Sequence, residues 1–229
     1  MGMLQYDFMV RALISGLVIG IICPALGNFL VIRRYAFMAD AISHVCLAGV
    51  AIGLWLGAAS YTPFLVIVIA VLGAMAVDYL RTHSSLSPDA LLALVMSGGL
   101  ALAVIFFGLA KGGALDITSY LFGSLMTVNN SDLWLIIAVA IIVLLYKELY
   151  FICSDEQSAR VAGLPVDRLN LVFIFLVALT VAVSLRVVGT LLVGALMVIP
   201  VLASLIIGRS FQQVFYYSMG IGVISALLG

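Results

Sequence analysis

Charge is what this sequence has least of. Only 9% of its 229 residues are charged, against 66% hydrophobic, where an ordinary soluble domain is about a quarter charged and roughly half apolar. Polar side chains are too few to coat a globule in water, which excludes a soluble enzyme. Ten Lys+Arg are matched by ten Asp+Glu, so no broad basic face is left over for nucleic acid. Cys23, Cys46 and Cys153 are odd in number and lack C-x-x-C spacing, so they make no disulfide framework. There is no G-x-x-x-x-G-K-[ST], hence no P-loop nucleotide site, and no H-E-x-x-H or G-x-S-x-G. Basic residues are not arrayed periodically, as a voltage sensor requires.

What is present is a succession of long apolar runs. A hydrocarbon core of about 30 Å needs roughly 20 apolar helical residues per crossing. The runs, cut by charges and Gly/Pro/Asn clusters, lie at 8–32, 35–56, 62–80, 90–110, 133–149, 169–185, 187–207 and 211–229. These predict an all-α polytopic transmembrane bundle of about eight spans, in one domain over residues 1–229, with neither internal repeat nor low-complexity linker. The last run lacks a polar end, as expected of a chain whose natural form continues. Residues 111–132 are mixed, and Tyr120–Leu125 is too short to span, as in a re-entrant piece. The segment before the first run has neither a basic n-region nor a small-residue cleavage site, so that run reads as a retained span. Arg33, Arg34, Arg81, Lys147, Arg160, Arg168 and Arg209 gather on one side, and Arg11, Lys111 and Arg186 on the other. The positive-inside rule then puts the N-terminus outside.

Ionisable groups inside a span are costly, and by default they point to function. Asp40 and His44 occupy the second run at i and i+4, on one helical face, with Ser43 beside them. A carboxylate and an imidazole one turn apart suit a borderline divalent ion such as Zn²⁺, and less readily Mn²⁺. Two copies facing each other would supply two Asp and two His, the number tetrahedral zinc favours. The competing structural reading makes Asp40 a helix N-cap and pairs His44 with a backbone carbonyl. Cys46 is a soft potential ligand and a neighbour of this face, but two residues on from His44 it points about 160° away, where a buried thiol packs like alanine. In the seventh run Gly189, Gly194 and Ala195 precede Pro200, which predicts a kink or gate. Between the fifth and sixth runs, Ser154-Asp155-Glu156-Gln157 reads as a capped helix start. Arg160 stands near its end and Gly163-Leu164-Pro165 terminates it. A short helix over about 154–164 docks into a soluble partner or lies on the membrane.

Five segments together resemble a known family. They are Phe29–His44 with Gly49-Val50-Ala51; Leu94–Gly99; Tyr120–Ser124; Asp155–Val166; and Val188–Pro200. In this order they are similar to the membrane permease subunits of ABC importers for zinc, manganese and iron. The wording around Tyr120 and Arg33-Arg34 is nearest the zinc-uptake permeases of Gram-positive bacteria. The resemblance implies a type II importer permease in the bacterial plasma membrane, not itself an enzyme. It would be a homodimer on two separate ATPase subunits, fed by an extracellular metal-binding protein or lipoprotein. The resemblance further implies no permanently held cofactor and a transported divalent metal, with Zn²⁺ expected first and manganese or iron as the alternative. Asp40 and His44 would line the cation path, while Asp155, Glu156, Arg160 and Gly163 would contact the ATPase. Ala48 stands where the family commonly has proline, which predicts a straighter helix here. The rival from another class is a secondary transporter or channel with Asp40 as its proton-coupling group. A membrane-embedded enzyme lacks any further buried acid, base or nucleophile cluster.

Overall fold

The structure is a computed structural model that describes residues 7–57, 61–110, 117–123, 150 and 156–228. Among them are nine helices and no strand: α1 (Asp7–Ile32), α2 (Met38–Trp55), α3 (Thr62–His83), α4 (Pro88–Leu109), α5 (Ile117–Phe122), α6 (Glu156–Val161), α7 (Val166–Val188), α8 (Thr190–Ile207) and α9 (Phe211–Leu228). Seven are long and apolar enough to cross a membrane, and each expected run that falls on described residues is one of them. The fifth run, 133–149, lies outside the described residues. The seventh starts later than expected: Val187 and Val188 complete α7, and Gly189 separates α7 from α8.

Local chemistry sets the ends. The Ser87 hydroxyl accepts from Ala90 N–H at 3.4 Å, and Pro88 fills the first helical position of α4, where no intrahelical donor is lost. The α1–α2 connection turns through Arg34 at φ 61, while Tyr35 N–H donates to the Leu30 carbonyl at 2.8 Å. Ala48 lies within a continuous α2, packed with Leu47 and Ala51 near Ala103 of α4.

The helices form two groups around a central pair. One group is α2 with α3 and α4, the other α1 with α9; α7 and α8 pack between them. The inner half of α7 is buried almost throughout, from Phe173 to Leu185. Outward positions of α3 and α4, including Phe64, Leu72, Leu94 and Val104, are exposed yet apolar, as lipid-facing positions must be. Lipid gives little hydrophobic drive between helices, so packing and buried polar ties hold the groups together. Asn28 is one such tie. Its Nδ2 donates to the Pro24 carbonyl at 2.7 Å and to Ser218 Oγ on α9 at 2.6 Å.

Helix directions follow from contacts at the ends. Arg33, after α1, donates to Asn170 Oδ1 near the start of α7 and sits 5.2 Å over the Phe173 ring. So α7 begins where α1 ends and α2 begins. The far end of α8 meets the start of α9 at Gly208 and Val214, and α9 starts beside Phe29 of α1 through Phe211. Consequently α8 runs back toward that end, antiparallel to α2.

Candidate metal site

Asp40 is the third residue of α2 and lies in its first turn, but the helix is preceded by Phe37, which makes no side-chain cap bond. The N-cap reading of Asp40 therefore does not describe this helix. The positive end of the helix dipole there nonetheless favours an anionic side chain, by about 0.3–1 kcal/mol. His44 follows one turn on, and both side chains are half-buried. No hydrogen bond occupies the buried Nδ1 of His44, so the expected carbonyl partner of the competing reading is missing at that atom.

Facing Asp40 is Gly194 of α8. A Cβ at Gly194 would overlap the carboxylate, lying 2.6 Å from Asp40 Cγ. Only a residue without a side chain leaves room for the acid between α2 and α8. From the other flank, α4 presses its backbone on His44: a Cβ at Gly99 would stand 3.0 Å from the His44 carbonyl carbon. The pair is thus set between two closely approaching helices.

The two expected neighbours are placed elsewhere. Ser43 donates its hydroxyl to the Asp40 backbone carbonyl at 2.8 Å, which takes its proton away from any ion. Cys46 is fully buried in the main apolar cluster, matching the alanine-like role. No group of three or more His, Cys, Asp and Glu gathers among the described residues. One chain therefore offers two strong donors, short of the three or four of a closed zinc site.

Gly189 joins α7 to α8 at φ 88, ψ 161, a backbone region open essentially to glycine alone. Its neighbour in space is the end of α5, where Gly123 has φ 79. A Cβ at Gly189 would stand 2.5 Å from Phe122 carbonyl carbon, and one at Gly123 would stand 2.6 Å from the Val188 carbonyl carbon. The short α5 is thereby locked against the α7–α8 junction, five residues from Gly194. Sequence reading marked Gly189 but not the pairing with Gly123, because glycine alone does not say which backbone it admits. Pro200 lies inside a helix that continues from Thr190 to Ile207. Beside it, an apolar cavity of about 610 Å³ is lined by Leu13, Phe122, Val188, Leu196 and Pro200 among others.

At the other end, the expected helix over about 154–164 is described from Glu156, with α6 covering Glu156–Val161; Ser154 and Asp155 lie outside the described residues. Gly163 terminates it at φ 82, as the Gly-Leu-Pro signal predicts. Arg160 Nη2 and Asp167 Oδ1 form an exposed ion pair at 2.7 Å, bracing α6 on the start of α7.

Comparison with known proteins places this arrangement. The chain is 36% identical over 214 residues to a "Probable metal transport system membrane protein" of Treponema pallidum, covering 89% of this chain and 77% of that protein. It is 28% identical to the "Manganese transport system membrane protein MntC" of Halalkalibacterium halodurans, over 99% of this chain and 79% of the relative. It is 29% identical to the "High-affinity zinc uptake system membrane protein ZnuB" of Haemophilus influenzae, over 98% and 87%. Among solved structures, PsaBC from Streptococcus pneumoniae in complex with Fab matches with a TM-score of 0.82 at 29% identity, over 99% of this chain and 83% of that one. A family model, the ABC 3 transport family, matches residues 5–229. With its apolar spans and the relatives' roles, the chain is a multi-pass protein of the bacterial plasma membrane and a member of the ABC 3 family of metal-transport permeases.

Proposed function

We propose that this chain is the permease subunit of an ATP-driven importer for zinc, and that Asp40 and His44 form its transient cation site. The supporting observation is the Asp40–His44 pair itself: a carboxylate held against Gly194, and an imidazole whose buried Nδ1 has no partner. An oxygen and a nitrogen donor suit a borderline ion. Because each chain contributes two donors, two copies meeting across an axis complete a four-donor site. Conduction requires release, so this site must bind its ion more weakly than a structural zinc site does.

In this reading the ATPase is a separate subunit that grips α6 and its flanks through Asp155, Glu156, Arg160 and Gly163. Its strokes reach the path through α7, which α6 abuts. An extracellular binding protein delivers the ion on the side of Asp7, residues 111–132 and Arg186. Gly189 and Gly123 form the gate, with Pro200 below. Manganese is the second reading, favoured by the manganese-transport relative.

Accumulation of radioactive zinc and manganese by cells carrying the assembled transporter tests both points. Asp40→Ala and His44→Ala should each abolish uptake at matched protein levels, and unlabelled zinc should compete better than manganese. Full uptake by both variants would falsify the site, while stronger competition by manganese would reassign the ion. Protonated imidazole has no lone pair for a metal, so uptake should also fall as the medium is acidified.

A further inference from the structure

The orphaned Nδ1 of His44 has a counterpart. Among the described residues, Oγ1 of Thr190 is also buried and without a hydrogen-bond partner. Thr190 is the first residue of α8 and is 2% exposed. Helix register relates the two. Asp40 meets Gly194, and α2 and α8 run antiparallel. One turn along α2 from Asp40 is His44; one turn along α8 from Gly194, in the same direction, is Thr190. Positions four apart share a helix face, so an unpaired hydroxyl and an unpaired ring nitrogen stand at one level of the α2–α8 seam. Ser43, the hydroxyl nearest in sequence, is already committed to a backbone carbonyl.

Resting on the cation-site reading above, we propose that Thr190 is a positioning residue of that site: once the ion binds, its Oγ1 accepts the Nδ1–H of His44 and so leaves the Nε2 lone pair to the ion. A metal-binding histidine generally donates its other ring N–H to an oxygen acceptor, which fixes tautomer and ring orientation. Neither Nδ1 of His44 nor Oγ1 of Thr190 is hydrogen-bonded in this structure, to the other or to any third group, so the bond forms as the imidazole turns onto the ion. The hydroxyl's own proton then remains for the Asp40 carboxylate or an ion-bound water.

The test is equilibrium dialysis of radioactive zinc against the purified permease–ATPase assembly, with zinc uptake measured in cells. Thr190→Val keeps the shape and removes the hydroxyl; Thr190→Ser keeps the hydroxyl. Loss of such a partner weakens metal affinity by roughly 10–100-fold. Thr190→Val should therefore bind zinc at least about 10-fold more weakly and take up less, while Thr190→Ser stays near wild type. The melting temperature in detergent supplies a separate readout. Without zinc Oγ1 is unpartnered, so replacing the hydroxyl by a methyl should leave the zinc-free melting temperature unchanged or raise it. Weaker zinc binding without lower zinc-free stability therefore identifies a positioning role. Wild-type zinc affinity in Thr190→Val, or equal loss in Thr190→Ser, would overturn the assignment. His44→Gln separates the two claims: if it abolishes binding while Thr190→Val does not, the cation site stands without Thr190. If His44→Gln binds normally, the site itself is wrong.

Discussion

Gly194→Ala places a methyl where the Asp40 carboxylate now lies. The added Cβ would be 2.6 Å from Asp40 Cγ and closer still to one carboxylate oxygen, whereas carbon atoms rest at about 3.5–4.0 Å. Either the carboxylate turns away or α8 backs off by about 1 Å. Overpacking of this kind costs about 1–3 kcal/mol, which a bundle with this much buried surface should survive. A displacement of about 1 Å in a positioned group can slow turnover by about 100-fold. Gly194→Ala should therefore insert and assemble, yet transport zinc far more slowly than wild type. Two neighbours on α4 provide the control. A Cβ at Gly99 meets the His44 backbone at 3.0 Å, while one at Gly98 meets nothing within 4 Å. Gly98→Ala should transport normally and Gly99→Ala should be impaired. The assay is initial-rate uptake of radioactive zinc normalised to permease in the membrane, with the melting temperature of each variant recorded. Unimpaired uptake in Gly194→Ala would refute the idea that this glycine exists to admit Asp40, and equal loss in Gly98→Ala would reduce the effect to general intolerance of α4 and α8.

Three further outcomes follow from the geometry. Gly189→Ala forces a side chain into a conformation costing about 1–3 kcal/mol and drives its Cβ against α5, so the variant should melt earlier and accumulate less in the membrane. Asn28→Leu removes the α1–α9 tie to Ser218; interhelical hydrogen bonds in membranes average about 0.6 kcal/mol, so a small fall in melting temperature is expected, and a large one would show that Asn28 carries more than this contact. Arg160→Ala breaks an exposed ion pair with Asp167, worth under about 1 kcal/mol; stability should hold, and any loss of metal-stimulated ATP hydrolysis by the assembly would mark Arg160 as part of the coupling contact.

Much of the fold was legible because a bilayer imposes a length and a composition that a sequence displays directly. Runs such as 62–80 and 211–229 needed only hydropathy, since lipid accepts any apolar residue of sufficient length. Boundaries were less legible. Val187 and Val188 are as apolar as the residues after them, and what ends α7 is the backbone of Gly189, whose torsions composition does not encode. Asp40 and His44 stood out because ionisable groups are rare in hydrocarbon and their spacing fixes a shared face. Ser43 is a neighbour of that face in the sequence, but its hydroxyl has an acceptor within its own turn of helix.

The sequence by itself determined that the chain is helical, membrane-spanning and equipped with an acid and an imidazole on one face of its second span, since those follow from hydrocarbon thickness and helical period. Only the tertiary structure decided what faces that pair. The antiparallel approach of α8 brings Gly194 to the carboxylate and Thr190 to the level of the imidazole, across some 150 residues of chain. Such meetings depend on how helices pack against one another, and no local pattern along the chain records them.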